Sequence, residues 1–171
     1  KLKKEISVLL LQQEIPIDIN IELLKIANES GIKTIFDPGP PSKYENFDFL
    51  KFVDFLTPNK HEAEFILGKK IDGFELEAAK ELKRIGSNHV IITLGSEGLV
   101  YSGDFDRIFK PIKVNAIDPV GSGDCFNGAL ASMINKGEDI LNSINFAQRA
   151  AAFSTTKKGA SQSFPFLNEI K

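Results

Sequence analysis

Apolar positions along this chain follow two alternating rhythms. Residues 6–12 are almost continuously apolar, the pattern of a strand buried on both faces. Over residues 18–30, Ile19, Leu23, Leu24, Ile26 and Ala27 return near helical spacing. Asp18 or Asn20 can cap that helix, and Gly31 can end it. Residues 33–36 read as the next strand. Strand, helix and strand in that order make a crossover unit, which builds parallel sheets.

The alternation continues along the chain. Asp37-Pro38-Gly39-Pro40-Pro41 predicts a rigid loop, and residues 53–56 a short strand ending at Thr57-Pro58. Residues 61–67 predict a helix that stops at Gly68. A second amphipathic helix is expected over 75–85, with Leu76, Ala79, Leu82 and Ile85 inward and Gly86 as its stop. Residues 89–94 form another strand, and 99–102 can pair with 107–112 across a Gly103-Asp104 turn. Phe126, Ala129, Leu130, Met133 and Ile134 mark one face of a helix, and 139–155 a last long helix rich in alanine. This alternation predicts an α/β fold, a doubly wound, mostly parallel sheet flanked by helices, in a single domain over 1–171. Such sheets bind ligands at the carboxyl ends of their strands. The polar and glycine-rich segments 12–16, 37–41, 57–64, 95–98 and 118–124 are each expected to follow a strand and so to line one rim.

Composition narrows the partners. The formal net charge is -2 and no basic block or stripe occurs, which argues against nucleic acid. An anionic ligand would have to be held by local N–H groups, a cation or a few placed lysines. Cys125 is the single cysteine, so an internal disulfide and a thiolate metal cluster are ruled out. Its expected role is a small buried side chain. The apolar run is too short to span a bilayer, and no targeting pattern is visible. The expectation is a soluble, cytoplasmic protein with no membrane partner.

The chemistry concentrates in Asn115-Ala116-Ile117-Asp118-Pro119-Val120-Gly121-Ser122-Gly123-Asp124-Cys125-Phe126-Asn127-Gly128-Ala129-Leu130. Gly121 and Gly123 let a backbone approach an anion closely. The following helix start offers N–H groups without intrahelical partners, and its dipole adds positive charge. Asp124 stands beside this cradle, a plausible base for a substrate hydroxyl. Four residues of this type also make an ordinary tight turn ending in a capping aspartate. The longer segment resembles the anion-hole and catalytic-base motif of the ribokinase-like sugar kinases, the PfkB family.

That resemblance extends to other segments. Asn59 and Glu62, in Thr57-Pro58-Asn59-Lys60-His61-Glu62-Ala63-Glu64, resemble the family's Asn-x-x-Glu element. It implies a role in organising magnesium and phosphates, with Glu62 acting through water. The alternative is a Thr-Pro turn into an acidic first helical turn. Thr93, Gly95, Ser96 and Gly98 resemble the nucleotide-side turn, although a plain strand-turn-strand also uses these glycines. Gln148 lies where the family helix borders the adenine pocket. The segment from Lys158 to Pro165 is similar to the ending typical of ribokinases, which with the loop before the anion hole holds a monovalent cation, usually potassium. By position the contributors would be Asp118, Val120, Ser154, Lys157, Gly159 and Ser163, with Lys157 acting through its carbonyl. Glu14 matches a sugar-contacting glutamate, against the alternative of a surface carboxylate before a proline turn. His61 reads as a surface residue and His89 as structural.

Two departures stand out. Pro119 replaces the family's usual threonine and removes one N–H. The amino-terminal sugar motifs, first strands and lid are absent, so the resemblance covers only the carboxyl-terminal part of such an enzyme. A sheet without those strands would expose an edge and apolar surface. The resemblance implies ATP-dependent phosphorylation of D-ribose at its primary hydroxyl by the intact enzyme. Asp124 would be the base, and Gly121, Ser122 and Gly123 would donate N–H groups. ATP, magnesium and potassium are the implied cofactors, and a homodimer is compatible with it. The isolated chain is expected to lack turnover. The alternatives are a fructokinase- or adenosine kinase-like acceptor, or a nucleotide-binding module without catalysis.

Overall fold

The computed structural model describes residues 6–41 and 46–170. Two compact units are distinguished, Lys1–Lys110 and Pro111–Lys171.

The first unit is built on a mixed sheet. Its strands are β1 (Val8–Gln12), β2 (Lys33–Asp37), β3 (Phe55–Leu56), β4 (His89–Thr93), β5 (Leu99–Ser102) and β6 (Asp106–Phe109), and they lie side by side in chain order. The first four are parallel, and β5 and β6 return antiparallel. The helices are α1 (Ile17–Ser30), α2 (Lys60–Leu67) and α3 (Glu75–Ile85). The α/β class expected from the alternating rhythm is the class observed. Parallel register sets Gln12 beside Asp37 at the ends of β1 and β2. The carboxyl ends of β1 to β4 thereby share one rim, as parallel strands must.

The core gathers Leu11, Leu24, Phe36, Leu50, Leu56, Leu82, Val90, Ile92 and others from every layer of this unit. Full burial of such a side chain contributes about 1.5–3 kcal/mol. Gly31 ends α1 in the left-handed conformation, at φ 64, where its N–H meets Ala27 O and Asn28 O. A side chain there would be strained, so the sequence stop works through backbone geometry.

Several local expectations are corrected. β1 is not buried on both faces: Leu11 is buried, but Leu10 is 36% exposed. It ends the strand order and has a neighbour on one side only among the described residues. Ile6, Ile15, Ile19 and Ile26 are exposed nearby in sequence, the apolar surface anticipated for a sheet edge. Neither Asp18 nor Asn20 caps α1. Pro16 occupies the cap without a side-chain bond, and Asn20 turns inward and is fully buried. In α3, Ala78, Ala79 and Leu82 are buried while Ile85 is 38% exposed. The last turn of that helix therefore leaves the core. Strand β3 is shorter than expected, starting at Phe55, and a 3₁₀ turn, Asp48–Phe52, precedes it and buries Phe49 and Leu50. The hairpin pairs Ser102 with Asp106 and stops at Phe109.

His89 is structural, as expected. It stacks on Phe55 with ring centroids 4.4 Å apart, and its Nδ1 lies 2.8 Å from the Tyr101 hydroxyl. Burial holds its pKa below the ordinary histidine value.

The second unit centres on α4 (Ser122–Asn135) and α5 (Ile140–Ser154), which pack on each other. Phe126, Leu130, Ile144, Ala147 and Ala150 are buried. Alanine at 147 and 150 keeps that face of α5 flat, which permits close helix approach. Asp139 caps α5, accepting from the N–H of Asn142. Cys125 is buried too, and burial raises its thiol pKa while the Ser154 hydroxyl opposes that shift. No helix among the described residues is long and apolar enough to cross a membrane.

Candidate active site

The glycine loop does run straight into a helix. Gly121 occupies the cap of α4 at φ 77, in the left-handed region, and no side chain caps the helix there. A β-carbon on Gly121 would also lie 3.0 Å from both Cα and Cβ of Ala160. Backbone conformation and close packing thus both demand glycine. Gly123 differs. It lies within the first turn of α4, and nothing stands within 4 Å of where its β-carbon would be. The sterics of the fold leave that position open.

The N–H groups of this turn are not equivalent. Ser122 donates to Pro119 O at 3.2 Å, and Cys125 to Gly121 O at 2.9 Å. An anion bound by Ser122 would have to compete with the Pro119 carbonyl. Asp124 is exposed in the first turn of α4 and lines a cavity of about 280 Å³. Gly128 and Ser132 continue its helix face down the cavity, and Phe146, Phe164 and Leu167 supply apolar walls.

Two segments far apart in sequence meet beside this loop. The carboxylate of Asp118 accepts from Val120 N at 3.1 Å through one oxygen and from Gly159 N at 2.9 Å through the other. These two backbone donors, Gly159 first, hold its pKa below the usual carboxylate range. Thr155 O receives both Ile117 N and Asp118 N, at 2.7 and 3.0 Å. Asp118, Val120 and Gly159 are therefore brought together. Ser154 and Ser163 are buried, with hydroxyls given to Ala151 O and Ala160 O. The Lys157 ammonium reaches Glu169 at 3.0 Å and covers the Phe153 ring, so it is an anchor for the end of the chain. An ionised carboxylate suits a monovalent cation in charge, although both Asp118 oxygens already accept backbone N–H groups.

The first unit carries the remaining predicted residues. Asn59 caps α2 in a full capping box. Its side chain accepts from Glu62 N, and the Glu62 carboxylate accepts from both Asn59 N (2.7 Å) and Asn59 Nδ2 (2.6 Å). Glu62 is 8% exposed. Burial raises its pKa, and the Asn59 hydrogen bonds work against that rise. Both carboxylate oxygens already accept hydrogens, which suits magnesium held through water better than direct ligation. Among the described residues, no three His, Cys, Asp or Glu side chains form a metal cluster.

Tertiary structure adds a neighbour that sequence did not suggest. A side chain at Gly39 would run into the Glu62 carboxylate, so the loop after β2 packs directly on the start of α2. Thr93 bridges to Asn59 in parallel register and donates its N–H to Pro58 O at 2.9 Å. Gly95–Glu97 forms a 3₁₀ turn after β4, and Gly95 and Gly98 have φ 59 and 99. Asn59, Glu62, Thr93, Gly95, Ser96 and Gly98 thus occupy adjoining strand ends. Glu14 is exposed in the turn after β1, on the same rim. Gln148 lies in the middle of α5, half-buried.

A matching family model turns this arrangement into a membership. Residues 4–167 match the pfkB family of carbohydrate kinases. The chain belongs to that family. This PfkB chain is 36% identical to the ribokinase of Lactococcus lactis, over 98% of its own length and 54% of that protein. It is 28% identical to the deoxyribokinase of Salmonella typhi, over 98% and 56%. Among solved structures it resembles the ribokinase of Thermotoga maritima, with a TM-score of 0.86, 32% identity and coverage of 98% and 57%. It also resembles the ribokinase of Arabidopsis thaliana complexed with ribose and ATP, with a TM-score of 0.85, 28% identity and coverage of 96% and 54%. The PfkB chain spans about half the length of the curated relatives it matches.

Proposed function

We propose that the whole protein transfers the γ-phosphoryl group of ATP to the primary hydroxyl of D-ribose, giving ribose 5-phosphate and ADP. The carrying observation is the start of α4. A left-handed glycine, an open glycine and an exposed aspartate sit in one helical turn. The hydroxyl oxygen of the sugar attacks the γ-phosphorus and the bond to the β-phosphate oxygen breaks. The hydroxyl proton passes to the Asp124 carboxylate. Gly121 and Gly123 direct N–H groups at the charge that develops, joined by Ser122 once it releases Pro119 O.

Thr93, Gly95, Ser96, Gly98 and Gln148 hold the nucleotide in this reading, and Glu14 accepts hydrogen bonds from the sugar. Asn59 and Glu62 would hold magnesium through water, and such an ion would screen phosphate charge. Asp118, Val120, Ser154, Lys157 (through its carbonyl), Gly159 and Ser163 would hold potassium, and such an ion would strengthen the field at the anion hole. Relatives named as ribokinases, one of them complexed with ribose and ATP, support the acceptor and the donor. The deoxyribokinase relatives support 2-deoxyribose as the rival acceptor.

The decisive experiment compares Asp124→Asn with the unaltered whole protein. Phosphoryl transfer should disappear while binding of magnesium-ATP, followed by calorimetry, persists. Turnover near that of the unaltered protein would remove Asp124 from the role of base. Parallel assays with ribose, 2-deoxyribose, fructose and nucleosides would rank the acceptors.

A further inference from the structure

The turn after β1 and the first turn of α1 each hold a side-chain amide that the kinase reading does not use, Gln13 and Asn20. Asn20 is fully buried and Gln13 is 9% exposed. The amino group of each already has a partner. Asn20 Nδ2 donates to Gln12 O at 2.9 Å, and Gln13 Nε2 to Ile15 O at 3.5 Å. Turning the Asn20 amide over would set carbonyl against carbonyl, so its 2.9 Å bond fixes its orientation, while the longer 3.5 Å contact inclines the Gln13 amino group toward Ile15 O. Asn20 Oδ1 and Gln13 Oε1 are thereby aimed elsewhere, and neither meets a donor among the described residues. Buried acceptors without donors oppose folding and are seldom left so in native proteins.

The two amides belong to one layer. Leu11 and Leu24 lie in the same core cluster, so the Leu11 face of β1 packs on the inner stripe of α1. Gln13 follows Leu11 by two residues. Asn20 precedes Leu24 by one helical turn, in the buried stripe Asn20, Leu24 and Ala27. Gln13 and Asn20 therefore cap this layer at its carboxyl end.

We propose that Gln13 and Asn20 hold one buried water molecule, which donates one hydrogen to Asn20 Oδ1 and the other to Gln13 Oε1. Water matches a pair of acceptors because it carries two hydrogens on one small atom. A metal cation would need a fuller shell of oxygens than two amides supply. The water completes a set of ties around the turn. Gln12 O and Ile15 O are held by the two amides, and Gln13 N donates to Gly39 O at 3.1 Å. The turn that presents Glu14 is braced from beneath, whatever Glu14 binds.

The test is a double-mutant cycle on this chain, using Gln13→Leu, Asn20→Leu and the pair, with urea unfolding as readout. Each single leucine strands the other amide and should lower the folding constant about tenfold or more. The pair removes both acceptors, so its loss should fall well short of the product of the two single losses. Effects private to either residue, such as the lost Gln12 bond, cancel in the cycle. Independent, multiplicative losses would overturn the proposal. A high-resolution crystal structure of the unsubstituted chain decides the matter if the variants fail to fold. Density for one water within hydrogen-bond distance of both oxygens supports the site. Two separate waters, or an amide bonded directly to the other, would refute it.

Discussion

Replacing Gly123 with alanine separates what the fold needs from what the chemistry needs. Gly123 has an ordinary helical conformation, and an added β-carbon would meet nothing within 4 Å. Glycine is about 1 kcal/mol less favourable than alanine inside a helix, so Gly123→Ala should be neutral or stabilising. For a chain of this size that corresponds to a rise of roughly 0–4 °C in melting temperature. Under the proposed function, the same methyl group would stand where a phosphoryl oxygen approaches the backbone. Loss of one donor of this kind costs about 10²–10³ in kcat. The assay is thermal unfolding by circular dichroism alongside coupled measurement of ADP release by the whole protein. A variant at least as stable yet slower by about a hundredfold supports an anion cradle at α4. Full activity would show that no anion approaches Gly123, and the start of α4 would then be an ordinary turn. Gly121→Ala serves as the contrast. It should lose about 1–2 kcal/mol from the left-handed backbone alone, and more from the contact with Ala160.

Further outcomes follow from the same coordinates. Asn59→Ala removes the side-chain cap of α2 and the Nδ2 donor to a buried carboxylate, while the backbone N–H to Glu62 remains, so urea unfolding should register a loss of about 1–3 kcal/mol; no loss would mean that the capping box is not formed in solution. The folded-state pKa of His89 lies below the unfolded value of about 6.5, so the unfolded chain takes up protons first as pH falls. Stability should be complete above that value and decline as pH drops from there toward the folded pKa, and His89→Phe should flatten this limb in melts at stepped pH. Asp118→Asn keeps an acceptor but weakens the joint between the loops at 118–120 and 159. Any dependence of activity on potassium should be lost or require far higher salt, and unchanged potassium activation would count against the cation site.

Much of this architecture was legible because periodicity is local. The alternation of apolar runs and helical stripes marks β1, α1 and β2, and Gly31 and Gly68 end helices where expected. The glycine loop announced α4 because glycines before an apolar helical stripe have few other uses. Asn20 was misread as a cap, yet its signal was present. It sits one turn ahead of Leu24 on the inner stripe, where a polar residue must find buried partners. Ile85 was misread inward because periodicity cannot say where a helix outruns its sheet.

The residue types themselves dictated which segments become helix or strand and which glycine turn opens α4, since those properties depend on neighbours a few positions away. Chain path decided the rest. Asp118 finds Gly159 across 41 residues, Gly39 is kept bare by the Glu62 carboxylate, and Thr93 aligns with Asn59. No local pattern encodes such meetings, because a contact between distant segments exists only once the intervening chain has packed.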